Sequence, residues 1–186
     1  MEKQINRYKS FKIIVLGDSK IGKTSLVLRF LREEFFTTQN DENEGINFFE
    51  SLYTHRFNDK DGTELKKEFK LEIWDIAGLN RFKKFIPYLS FGVHGIILAF
   101  SSEDQNPTET LEEWISLIKN ELGKNIPIVI SSTKSDLANY KQMTELNRFI
   151  AQKSVNAYVP TSAIDGKNVQ KLFDEILDAI LRAQQK

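Results

Sequence analysis

Gly17, Gly22, Lys23 and Thr24 stand at the spacing Gly-x4-Gly-Lys-Thr, which can wrap and neutralise a chain of phosphates. Two glycines let the backbone N–H groups across Asp18, Ser19, Lys20, Ile21 and Gly22 point inward at an anion, because no side chain blocks close approach. Lys23 adds a point charge for the β- and γ-phosphates, and the Thr24 hydroxyl, followed by Ser25, is a ligand for Mg2+. Such a loop must leave a buried strand and open a helix. Residues 11–16 form a short, mostly apolar run, and Leu26, Val27, Phe30 and Leu31 recur at helical spacing, so both requirements are met. The bland alternative, a glycine-punctuated strand-to-helix turn, is disfavoured by that context, and a nucleoside triphosphate is the expected ligand.

A second constellation selects the base. Residues 128–132 read as a buried strand that carries Thr133, Lys134, Ser135 and Asp136 at its end, with Leu137 following. A carboxylate placed there can accept two hydrogen bonds, from the N1–H and the exocyclic amine of guanine. Adenine offers no such donor pair, so Asp136 would choose guanine and weighs against an ATP-using enzyme.

On these motifs, with Trp74-Asp75-Ile76-Ala77-Gly78 and Thr161-Ser162-Ala163, the chain resembles the Ras-like small GTPases, and most closely the Rab branch, over residues 11–181. The resemblance implies a P-loop small-GTPase fold, GTP or GDP as ligand and Mg2+ as cofactor. It also implies that Asp75 holds Mg2+ through water, with Thr24 as the other ligand, and that the Gly78 amide senses the γ-phosphate. The Ala163 amide, between Ser162 and Ile164, would meet the guanine O6, with Thr133, Lys134 and Leu137 around the base. Phe35 stands where the family places an aromatic against the guanine ring, although an ordinary core phenylalanine beside Phe36 is nearly as good a reading. Effectors, exchange factors and GTPase-activating proteins would meet the switch regions.

Departures from the family pattern carry further expectations. Leu79 replaces the Gln that orients the attacking water, and an aliphatic side chain neither donates nor accepts a hydrogen bond, so slow hydrolysis and a persistent GTP state are expected. In the first switch Asn43-Glu44-Gly45 stands for Thr-Ile-Gly, within an acidic stretch longer than the Rab spacing. Asn43 could still offer a carbonyl oxygen to the metal, or Thr37 or Thr38 could fold back instead; a solvated acidic loop is the plain alternative. Thr133 keeps a hydroxyl but lacks the amide of the family's Asn, which ties the base site to the phosphate loop, so weaker nucleotide binding is expected. Lys20 is either an extra cation near the phosphates or a side chain turned to solvent, and the second is favoured.

The elements needed to position these residues can be read coarsely. Strands are expected at 11–16, 46–57, 64–75, 94–100, 127–132 and 156–160, and helices at 23–33, 79–90, 108–122, 142–152 and 168–184. This alternation implies an α/β fold with a mostly parallel six-stranded sheet and helices on both faces. One pair breaks the rule: Asn58-Asp59-Lys60-Asp61-Gly62 is a turn cluster, and beyond it Leu65, Lys67, Phe69, Leu71 and Ile73 alternate with Lys66, Glu68, Lys70 and Glu72. That predicts an antiparallel edge hairpin, longer than the one in Rab proteins, as either a partner-binding edge or a surface extension. Leu111, Trp114, Ile115 and Ile118, and Val169, Leu172, Phe173, Ile176, Leu177 and Ile180, form core stripes on two helices.

At 186 residues and 40% apolar the chain can bury a full core, and no linker divides it, so one G domain over 1–186 is expected, with its core at about 11–181. Acidic and basic residues number 26 each, which disfavours nucleic acid as a partner. There is no cysteine, and the histidines are His55 and His94, so disulfides, thiolate catalysis and Cys/His zinc sites are excluded or weakly supported. The chain shows no secretory signal, no long apolar span and no lipid-anchor motif, so a cytoplasmic monomer is expected, with peripheral attachment to intracellular membranes as the Rab-like variant. Two readings remain: a GTP hydrolase cycling effectors in traffic or signalling, and a GTP-locked or non-hydrolysing docking module.

Overall fold

The computed structural model describes residues 8–32, 45–58, 61–78, 83–84, 86–89, 91–123, 125–138 and 140–185. Strand β1 (Lys9–Leu16) sends Phe11, Ile13 and Val15 into one apolar cluster and Ile14 and Leu16 into another, and all five are buried. A strand buried on both faces belongs at the centre of a sheet covered on both sides. The other strands are β2 (Ile46–Asn58), β3 (Glu64–Ile76), β4 (Gly95–Ser101), β5 (Ile128–Thr133) and β6 (Ala157–Tyr158). Their order across the sheet is β2-β3-β1-β4-β5-β6. All described pairings are parallel except β2 with β3, which run antiparallel from Ile46 opposite Ile76 to Asn58 opposite Glu64. The long hairpin is therefore at the sheet edge, as the turn cluster predicts.

Helices α1 (Lys23–Arg32) and α5 (Val169–Ala183) close the face of Phe11, Ile13 and Val15. On the opposite face lie α2 (Ile86–Leu89), α3 (Pro107–Leu122) and α4 (Tyr140–Ala151). Both stripes read from the sequence are buried here, down to each residue. Pro107 opens α3, where its missing N–H costs nothing.

Most boundaries differ from the expected ones by a residue or two, β1 beginning at Lys9 rather than 11. β6 covers two residues rather than 156–160, although Val159 N and Thr161 N still donate to the β5 carbonyls of Ile130 and Ser132. α4 begins two residues earlier than expected. Within 79–90 the described helical residues are Lys83 and Ile86–Leu89, and 79–82, 85 and 90 lie outside the described residues. No described helix is long and apolar enough to cross a membrane.

Candidate nucleotide site

The phosphate-loop residues gather where β1 gives way to α1. Gly17 has φ 137°, and a Cβ there would sit 2.1 Å from the Ala99 carbonyl oxygen on β4, so only glycine fits. The loop continues through Asp18, the exposed Ser19 and Lys20, and the buried Ile21 to Gly22, whose carbonyl accepts the first helical bond from Leu26 N at 2.9 Å. Lys20 lies exposed with φ 61°, the solvent-turned reading. Ser25 is half-buried in the first turn of α1.

Lys23 is buried, and its ammonium donates to the carbonyls of Gly17 at 2.9 Å and Asp18 at 2.5 Å. Burial pushes its pKa down to about 8, against the opposing charges of Asp75 and Asp18. A polyanion bound beside it would favour the charged form.

The end of β3 meets the same junction. The Thr24 hydroxyl donates to Asp75 Oδ2, and Asn47 Nδ2 donates to the same oxygen at 3.2 Å. Asp75 is 2% exposed, so these two donors hold its carboxylate in an otherwise dry place. A hydroxyl and a carboxylate oxygen in direct contact form a hard-oxygen donor pair that fits Mg2+, which completes its shell with water and phosphate. Gly78 then presses against the loop: a Cβ there would lie 2.1 Å from the Asp18 carbonyl carbon and 2.3 Å from the Gly17 oxygen. Its amide is thereby brought beside the phosphate loop. Asn47 escaped the sequence reading; only the register that sets it opposite Asp75 exposes it.

The base-selecting residues assemble at the end of β5. Lys134 adopts φ 54°, and its ammonium reaches Glu103 Oε2 at 2.7 Å. Asp136 is exposed in a short helical turn, Ser135–Leu137, with Leu137 exposed beside it. Ser135 N donates to the Thr161 carbonyl at 2.9 Å and Thr161 N to the Ser132 carbonyl at 2.8 Å, which brings the two motifs together. Ser162 is buried, Ala163 half-buried and Ile164 exposed in the adjoining turn.

One expectation is revised. The Thr133 hydroxyl lies 2.5 Å from the Ile21 carbonyl oxygen and 3.0 Å from that of Phe100. A threonine therefore still ties the base site to the phosphate loop, because Ile21 comes close enough for a short side chain. Another contact was not foreseen: the Trp114 indole N–H on α3 donates to Asp18 Oδ1 at 2.9 Å. Phe35, Asn43, Leu79, Thr37 and Thr38 lie outside the described residues.

Comparison with known proteins agrees with this geometry. Residues 12–182 match the Ras family. The ras-related protein Rab-5B of Dictyostelium discoideum is similar, with 32% identity over 170 residues spanning 90% of this chain and 74% of the relative.

Proposed function

Because the chain belongs to the Ras family and is Rab-like, we propose that this GTP-binding switch takes GTP or GDP with Mg2+ at the β1–α1 junction and turns GTP over slowly by itself. The observation that carries the reading is the Thr24–Asp75 contact, with Lys23 beside it and Gly78 against the same loop. In this reading Lys23 exchanges the carbonyls of Gly17 and Asp18 for the β- and γ-phosphates, while Thr24 and Asp75 hold the metal. When bound, Mg2+ neutralises phosphate charge and polarises the transferred group. Asp136 accepts from guanine, Thr133 keeps the base turn against the loop, and the Ala163 amide faces O6. Leu79 supports slow turnover, since it has no group with which to orient water.

The Rab likeness supports work in membrane traffic or signalling, through protein partners that read the switch segments. Phe48 is 61% exposed and stands edge-on to Trp74, ring centroids 4.6 Å apart, offering an apolar contact beside those segments. A docking module that binds GTP without hydrolysing it is the second reading, and Leu79 with Asn43 favours it.

Thermal melting tests the ligand directly. At a hundredfold excess over Kd, a bound nucleotide adds about 2.7 kcal/mol to stability, a rise of roughly 5–10 °C at this chain length. GTP and GDP with Mg2+ should give that rise, ATP should not, and EDTA should remove most of it. Equal shifts with ATP, or none with GTP, would refute the proposal.

A further inference from the structure

Asp18 puts a carboxylate into a loop built for polyanions, and the fold restrains it from α3. Trp114 is 3% exposed within the α3 core stripe, so its indole is fixed, and its N–H donates to Asp18 Oδ1 at 2.9 Å. A negative side chain free to turn toward bound phosphates would repel them at close range. The same indole is also approached by the ammonium of Lys83. Lys83 Nζ lies 4.9 Å from the ring centroid and 3.7 Å from Glu113 Oε2, on the residue before Trp114. Gly78 itself abuts Gly17, Asp18 and Ser19. One buried ring thus joins the phosphate loop to Lys83.

We propose that Trp114 is a positioning residue for the phosphate loop: it holds the Asp18 carboxylate off the phosphates, and Lys83 over its ring helps to fix the indole that does so. This rests on the nucleotide reading above. Losing the indole N–H frees the carboxylate, and GTP, with one phosphate more than GDP, feels the repulsion more. Lys83 sets how firmly the ring is held, so its charge reaches the loop only by way of Trp114.

The test is the release rate of fluorescent GTP and GDP analogues from the full chain, in a double-mutant design. Trp114→Phe should speed GTP release about tenfold, the worth of a hydrogen bond to a charged group, and GDP release clearly less. In the Asp18→Asn background the same change should cost no more than about threefold. Lys83→Met should speed GTP release while Trp114 is present and have no effect beside Trp114→Phe. If Trp114→Phe fails to fold, Lys83→Met with Asp18→Asn, both outside the core, gives the same answer: the Lys83 effect should vanish with the Asp18 charge. Equal acceleration of GTP and GDP, or factors that simply multiply, would overturn the proposal and leave Trp114 as core filling. A wild-type chain that binds neither analogue refutes the nucleotide reading itself, which is a different result from additive changes in a chain that binds both.

Discussion

Asp136 and Lys23 show how much of the site is carried by single side chains in opposite surroundings. Lys23 is buried, bonded to two loop carbonyls and depressed to about 8 by its burial, whereas Asp136 is exposed on a short turn. In the proposed reading the first binds charge and the second discriminates. Asp136→Ala removes an acceptor of two charge-assisted hydrogen bonds, so GTP affinity should fall by about a hundredfold or more. Titration of a fluorescent GTP analogue checks this, and an unchanged Kd would remove Asp136 from the base site. Most of these residues were legible in the sequence because the phosphate loop is local: its glycines, its lysine and its hydroxyl lie within eight positions of one another. Asn47 and the Asp18–Trp114 bond were not, since each depends on a strand register or a helix approach that no local pattern records. Thr133 was legible as a substitution but not in its effect, which turns on how near Ile21 comes.

At the scale of elements, the long hairpin is held to α5 by a buried histidine. His55 on β2 is 1% exposed, its Nδ1 2.8 Å from Asp174 Oδ1 and its Nε2 2.8 Å from Asp178 Oδ1. Tyr53 donates to the same Asp174 oxygen at 2.6 Å, and Gln170 donates to the Tyr53 hydroxyl. Two carboxylates facing both ring nitrogens call for two N–H donors, hence the imidazolium. Burial alone would lower the His55 pKa, but the hydrogen bonds and charges of Asp174 and Asp178 outweigh it, and the net shift is upward. A folded pKa above the unfolded one means the stabilisation is complete below about pH 6.5 and is lost as pH rises through the raised folded value. The melting temperature of the wild-type chain minus that of His55→Gln should therefore be largest near pH 6 and shrink toward alkaline pH. Each kcal/mol should read as about 2–4 °C. A difference that is flat with pH, or that grows as pH rises, would contradict the clamp. Sequence alternation correctly gave the hairpin and its buried Phe69, Leu71 and Ile73, yet it said nothing of His55, whose partners lie more than a hundred residues away.

The described residues form one sheet with two cores, and the proposed nucleotide site lies at the end where β1, β3 and β5 deliver their last residues. α1 and α5 lock the first core through the stacked rings of Phe30 and Phe173, 3.6 Å between centroids. α3 and α4 fill the second, from which Trp114 reaches the phosphate loop. The β-α alternation made this architecture readable, because strands buried on both faces and helices with one apolar stripe admit few other arrangements. On this scaffold Lys23, Thr24, Asp75 and Asp136 are all in place, and the expected restraint on turnover lies in Leu79. Single-turnover hydrolysis of GTP with Mg2+, by the wild-type chain and by Leu79→Gln, tests that claim most directly. The account predicts slow cleavage by the wild type and a gain of at least about tenfold, about 1.4 kcal/mol of barrier, for Leu79→Gln, which restores a group able to orient the attacking water. Equal rates for the two chains, at saturating GTP, would contradict it.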